Sequence, residues 1–279
     1  AQAAVEGAQL VVWPESAVPH RLDSHPGFRR EMERLARRLD VDLLVGTLSE
    51  APEAGALHNS AALIRASGGV ATVSSKRQLV PFGEYLPMSW LFGGAQALAA
   101  EAGSFVPGER IVLHPSRGQR VACLICYEAV FPGLVAEAVD EGAGLLANIT
   151  NDSWFGWTSG PRQHLAHSAL RAAETGRPLV RAANSGISVI LGARGEPIGR
   201  LGLGERGVLT ATVTAGADAA PGYVVGRWAA RACATLSVVV LGAAWLPARL
   251  RRRPSAVRRR APRNDNPETD RPSDGKADA

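Results

Sequence analysis

Short apolar runs broken by turn-forming residues recur along the chain, and their periods predict strands alternating with helices. Residues 10–13 read as a strand that ends in Pro14-Glu15-Ser16. Over residues 26–40 the apolar positions Phe28, Met32, Leu35 and Leu39 fall three and four apart, one face of a helix. Residues 41–48 form the next strand, and 59–65 with 70–74 form a pair around Ser67-Gly68-Gly69. After an irregular stretch at 76–87 and an apolar, small-residue run to Gly103, strands follow at 111–113 and 121–125. A helix at 134–141 ends at Gly142, and a strand at 145–149 leads into Thr150-Asn151-Asp152-Ser153-Trp154-Phe155-Gly156. A helix at 161–174 stops at Gly176, and strands at 179–182 and 188–191 close the pattern, with Gly195 in a hairpin turn. Strands alternating with helices predict layered α/β architecture.

The stretch 118–133 organises the rest. Its apolar strand gives way to polarity at Cys126-Tyr127-Glu128, then to Phe131-Pro132-Gly133. A thiol where a buried strand meets a turn suits a nucleophile on a rigid scaffold, although free Cys is also a common buried small residue. Glu15 and Lys76 also stand at strand ends. The chemistry these three share is acyl transfer: a thiol attacks a carbonyl, a carboxylate takes its proton, and an ammonium stabilises the oxyanion.

Composition narrows the alternatives. With 46% hydrophobic and 20% charged residues over 279 positions, the chain is a folded protein. The net charge of +5 resides in the tail, where ten Lys/Arg face five Asp/Glu from Arg249 onward. The remainder is neutral, which excludes a basic nucleic-acid face. Cys123 and Cys126 form a lone C-x-x-C whose members point to opposite faces of a strand, against a redox pair or zinc site. His164 and His167 share a helix face without a neighbouring carboxylate pattern, so no metal and no cofactor is expected. Trp154 and Phe155 read as wall packing, and Tyr127 equally as core or site.

Four blocks occur in an order that resembles the nitrilase (carbon-nitrogen hydrolase) superfamily: Trp13-Pro14-Glu15; Lys76 with Val80-Pro81-Phe82-Gly83-Glu84-Tyr85; Cys126-Tyr127-Glu128; and Asn151-Asp152-Ser153-Trp154-Phe155-Gly156. With Gly176-Arg177-Pro178 and Arg181-Ala182-Ala183-Asn184-Ser185-Gly186, the set looks most like the bacterial apolipoprotein N-acyltransferases, over roughly residues 8–215. The resemblance implies a nitrilase-like α-β-β-α sandwich with a triad of Glu15 as general base, Lys76 as oxyanion stabiliser and Cys126 as nucleophile. It implies supporting roles for Glu84, Tyr127 and Glu128. It also implies a phospholipid acyl donor and a diacylated apolipoprotein acceptor, joined through a thioester on Cys126. A nitrilase-like amidase that hydrolyses a C–N bond is the alternative. The apolar Trp90, Leu91 and Phe92, between the Lys and the Cys, are expected to form a membrane-facing lid for acyl chains.

Residues 232–247 carry no charge and are followed by Arg249, Arg251, Arg252 and Arg253. Sixteen residues fall short of the ~20 a bilayer wants, but Arg231 can snorkel, and Trp228 and Trp245 sit where interfacial aromatics belong. The expected organisation is a catalytic domain at 1–220, one C-terminal transmembrane helix at 224–248, and a basic, then disordered, cytoplasmic tail at 249–279. The positive-inside rule then puts the catalytic domain on the periplasmic side of a bacterial inner membrane. The opening Ala-Gln-Ala-Ala, without Met and close to a strand, leads us to expect that the true N-terminus is missing. The resemblance implies that N-terminal membrane helices belong there, so a C-terminal fragment of a longer product is expected.

Overall fold

Strands β1 (Leu10–Val12), β2 (Asp42–Glu50), β3 (Leu57–Ile64) and β4 (Val70–Ser75) make one sheet in that order. β1 runs parallel to β2, and the other neighbours are antiparallel. The second sheet takes β5 (Leu113–Ser116), β6 (Gln119–Ile125), β7 (Leu145–Asn151), β8 (Leu179–Asn184), β9 (Ser188–Leu191) and β10 (Pro197–Leu201) in spatial order β10-β9-β8-β7-β6-β5. Its centre, β6-β7-β8, is parallel. The helices are α1 (Gln2–Val5), α2 (Pro26–Leu39), α3 (Pro132–Asp140), α4 (Gly160–Thr175) and α5 (Pro221–Leu250). This computed structural model describes residues 2–18, 20–53, 55–85, 87, 105–216 and 221–250. The chain divides into two compact units, Ala1–Trp228 and Ala229–Ala279.

Within the first unit, strand alternation sorts the side chains into three cores. Leu43 and Val45 of β2, with Ala62 and Ile64 of β3, face Met32 and Ala36 of α2. The intervening Leu44, Ala61 and Leu63 face the other sheet, against Val121, Ile125, Leu145, Ala147 and Ile149. On the far side, Ala122, Leu124 and Leu146 pack on Val135 and Ala138 of α3 and Ala172 of α4. The layers are therefore helix, sheet, sheet, helix, the nitrilase-like α-β-β-α order. Burial of one side chain the size of Leu44 contributes roughly 2 kcal/mol. β6 and β7 read as continuous apolar runs because both of their faces are covered.

The strand expected at residues 111–113 lies instead at Leu113–Ser116. It is the sheet's edge, where Pro115, lacking an N–H, is tolerated. Buried His114 fixes it there. Its ring nitrogens meet the hydroxyls of Thr72 (2.6 Å) and Ser74 (2.8 Å) on β4, which ties the two sheets together. On α5, Leu236, Val238, Val239, Val240, Leu241 and Trp245 are exposed. Among the described residues no helix is long and apolar enough to cross a membrane. Trp90, Leu91 and Phe92, and the tail 251–279, lie outside the described residues.

Candidate active site

Glu15 stands just past β1 in a turn that Gly46 makes possible. A Cβ on Gly46 would lie 2.4 Å from the Pro14 carbonyl oxygen and 2.7 Å from the Glu15 Cα, so any side chain there would push the turn off β2. The turn is fastened by Trp13 N–H to the Leu44 carbonyl (2.8 Å) and Val18 N–H to the Gly46 carbonyl (3.0 Å). Lys76 follows β4 directly, its N–H bonded to the Asn59 carbonyl at 2.8 Å. Cys126 follows β6 with φ +52°, a left-handed conformation that residues bearing a Cβ rarely adopt.

The structure brings these three together at strand ends of the two sheets. Lys76, only 1% exposed, places its Nζ 2.8 Å from Glu84 Oε1 and 3.6 Å from Glu15 Oε1. Asn59 Nδ2 donates to both carboxylates, at 2.7 Å to Glu15 and 2.9 Å to Glu84. The other Glu15 oxygen accepts from the Asn151 N–H at 2.7 Å, and the other Glu84 oxygen from the Val80 N–H at 2.8 Å. Each carboxylate thus spans a side-chain cluster and a backbone loop, so its position is fixed at both oxygens. Burial by itself would lower the Lys76 pKa, but Glu15, Cys126 and Glu84 outweigh it and raise it.

Burial, then the charge of Glu15, pushes the Cys126 thiol up to about 11, although Lys76 and a Thr150 hydrogen bond pull the other way. At neutral pH the resting group is therefore the thiol, and attack requires a base to take its proton as the bond forms. Glu128 is buried and plays a different part. Its Oε1 accepts from the N–H groups of Arg77 (2.6 Å) and Gln78 (3.2 Å), and its Oε2 from that of Ile125 (2.8 Å). It ties the Lys76 loop to the end of the Cys126 strand. Burial raises its pKa against the lowering by those backbone donors.

The remaining candidates divide. Tyr127 is half-buried and packs edge-to-face on Phe131, ring centroids 4.9 Å apart. The wall-packing reading fails for Trp154, which is 79% exposed: the turn after β7 carries it outward. Phe155 packs its edge on the His164 ring. The residue pattern had put no carboxylate near His164, yet Asp152 lies 3.0 Å from its Nδ1 and pairs in turn with Arg181 at 2.7 Å. These partners are 12 and 29 positions apart, beyond any local motif; the available signal was a charge inside the apolar strand Leu179–Asn184. Asn59 left a similar trace, a polar residue opening the run toward Ala61. Among the described residues, no group of three or more His, Cys, Asp or Glu is arranged to hold a metal. A cavity of ≈ 1360 Å³ lined by β1, β8 and residues 204–215 includes none of Glu15, Lys76 and Cys126.

The model of the carbon-nitrogen hydrolase family matches residues 1–221. The chain belongs to the carbon-nitrogen hydrolase family. As a carbon-nitrogen hydrolase it is similar to the apolipoprotein N-acyltransferase of Geobacter metallireducens, 40% identical over 211 residues that cover 75% of this chain and 40% of that protein. The protein of the same name from Sinorhizobium medicae is 42% identical over 213 residues, 72% of this chain and 39% of its own. The chain spans about two fifths of the length of these curated relatives. Among solved structures it resembles the amidase of Nesterenkonia sp. AN1, with 28% identity and a TM-score of 0.56 over 74% of this chain and 80% of that one. A further structure of that amidase, at 27% identity and the same TM-score, carries acrylamide added at its active site cysteine.

Proposed function

We propose that this carbon-nitrogen hydrolase moves a fatty acyl chain from a phospholipid, through a thioester on Cys126, to the N-terminal amine of a diacylglyceryl-cysteine lipoprotein. The observation that carries the reading is the likeness, at about 40% identity over some three quarters of the chain, to relatives named apolipoprotein N-acyltransferase. The family match at residues 1–221 holds Glu15, Lys76 and Cys126. In the first half-reaction Glu15 takes the Cys126 proton while sulfur attacks the ester carbonyl. Lys76 stabilises the oxyanion, and the lysophospholipid leaves with that proton. In the second, Glu15 takes a proton from the incoming amine, the amide forms, and the Cys126 sulfur leaves and is reprotonated. Glu84 and Asn59 hold Lys76 and Glu15 in register, supported by the bonds at 2.7–2.9 Å around them.

The same proposal sets the chain in a bacterial inner membrane through residues 224–248, with the catalytic domain on the periplasmic side and Trp90, Leu91 and Phe92 as an acyl-chain lid. What supports the span is the uncharged run 232–247, the exposed apolar residues of α5 and the arginines that follow. A second reading, hydrolysis of a C–N bond by the same three residues, is favoured by the likeness to the Nesterenkonia amidase. The two part at the second nucleophile, an amine or water.

The test is the intact mass of the protein after incubation with phospholipid and no acceptor. Wild type is expected to gain one acyl chain, Cys126→Ala none, and a diacylated lipopeptide should discharge the adduct with transfer to its amine. Release of free fatty acid without transfer supports the hydrolase reading. A folded wild type that forms no adduct defeats the lipid reading.

A further inference from the structure

Against the backbone of Cys126 lies a buried polar cluster that the triad chemistry leaves unused. The Cys126 carbonyl oxygen accepts two side-chain hydrogen bonds, from His164 Nε2 at 3.0 Å and from Asn148 Nδ2 at 3.2 Å. A carbonyl only accepts, so His164 carries a proton on Nε2. Neither donor stands alone. His164 Nδ1 lies 3.0 Å from Asp152 Oδ1, and Arg181 Nη2 donates to Asp152 Oδ2 at 2.7 Å. Arg181 Nη1 and the Ser168 hydroxyl both donate to Asn148 Oδ1. Asn148, Asp152, His164, Ser168 and Arg181 are all buried. Gly186 leaves the space that Asp152 fills: a Cβ there would meet its carboxylate at 2.3 Å.

The cluster grips one atom of a residue whose backbone is strained, one of six non-glycine residues at positive φ among the described residues. Cys126 sits at φ +52°, and a left-handed residue with a Cβ persists only where its surroundings over-determine it. Turning that peptide back to a relaxed conformation would withdraw the carbonyl from both donors and strand them in the interior. The Cβ and Sγ of Cys126 would swing with it. We propose that His164 and Asn148, backed by Asp152 and Arg181, are positioning residues that hold Cys126 left-handed and so aim its thiol at Glu15 and Lys76. The proposal rests on Cys126 being the nucleophile.

The experiment uses two probes of that thiol on the full chain: alkylation by acrylamide, read by intact mass, and acylation by phosphatidylethanolamine in detergent micelles, resolved into kcat and KM. His164→Leu removes the donor, whereas His164→Gln keeps an N–H that can reach the carbonyl. All rates are compared well below each variant's thermal midpoint. His164→Leu is expected to lower kcat about a hundredfold, because a thiol displaced by an ångström loses its alignment, with KM held within about twofold. It should slow alkylation in parallel, and His164→Gln should recover most of both rates. Where the leucine variant does not fold, Asp152→Asn makes the comparison, since it loosens His164 without changing side-chain size; kcat should again fall with KM held. Wild-type kcat in His164→Leu, a glutamine variant as slow as the leucine one, a rise in KM alone, or unchanged kcat in Asp152→Asn overturns the proposal. If wild type takes no acyl chain yet acrylamide labelling follows the order wild type, Gln, Leu, the positioning role stands and the lipid reading falls.

Discussion

Lys76 lies 2.8 Å from Glu84 and 3.6 Å from Glu15 with almost no solvent contact, so its loss strands one buried carboxylate, Glu15, and one half-buried one, Glu84. Removing one partner of such a cluster costs about 3–5 kcal/mol, far more than loss of a surface charge. Lys76→Met is therefore expected to lower unfolding free energy by that amount in urea titrations, and to form no thioester. A methionine variant as stable as wild type would overturn this account of the cluster. The pH dependence carries the opposite sign from that of a carboxylate. The Lys76 pKa is raised, so its stabilisation is present at neutral pH and is lost only as pH climbs through the raised value, above 10.5. At this scale Glu15, Lys76 and Cys126 were legible, because each breaks polarity at the end of an apolar run. Asn59, Thr150 and Asp152 were not. Their significance lies in which atoms they meet once the chain is folded.

Among the elements, β4 and β5 are joined through His114, a buried imidazole between two hydroxyls. Burial lowers its pKa from 6.5 to about 4. As pH falls through 6.5 the unfolded chain takes up a proton that the folded chain refuses, so stability declines between pH 6.5 and about 4. The loss over that window is on the order of 3 kcal/mol at 1.36 kcal/mol per pH unit. Denaturant unfolding at pH 7.5 and 4.5 should show a steeper acid loss for wild type than for His114→Gln. Parallel slopes in the two proteins would place the acid sensitivity elsewhere. The helix at Pro26–Leu39 came directly from its three-four spacing, and β6 and β7 from their apolar runs. The position of β5 did not, because its residues are set by a bond to another sheet rather than by a period.

For the molecule as a whole, the proposed attachment to a membrane turns on the uncharged run of α5. Val239→Asp with Leu241→Asp puts two charges in its middle, each costing about 2.5–3.5 kcal/mol in a bilayer. The 279-residue wild-type chain is expected in the carbonate-washed membrane fraction of a bacterial host, and the double variant in the supernatant. Recovery of both in the supernatant would reduce this segment to an exposed helix. Layered α/β architecture was legible from alternation of strand and helix, and the family, with the α-β-β-α order that its resemblance implies, from four blocks in sequence. Neither revealed that, among the described residues, the second sheet has six strands and the first four, since sheet order depends on pairings between residues far apart.

The sequence by itself determined most of the strands and helices, which faces they bury, and which three residues break out at strand ends. Period and polarity are local, and local patterns fix local structure. Tertiary structure alone decided that Glu15, Lys76 and Cys126 meet, since they come from β1, β4 and β6 in two different sheets. It also decided the charge environment of the thiol and the grip on its carbonyl by Asn148 and His164. Burial, field and strain are properties of a packed interior, and they exist only once distant segments have been brought within a few ångströms of each other.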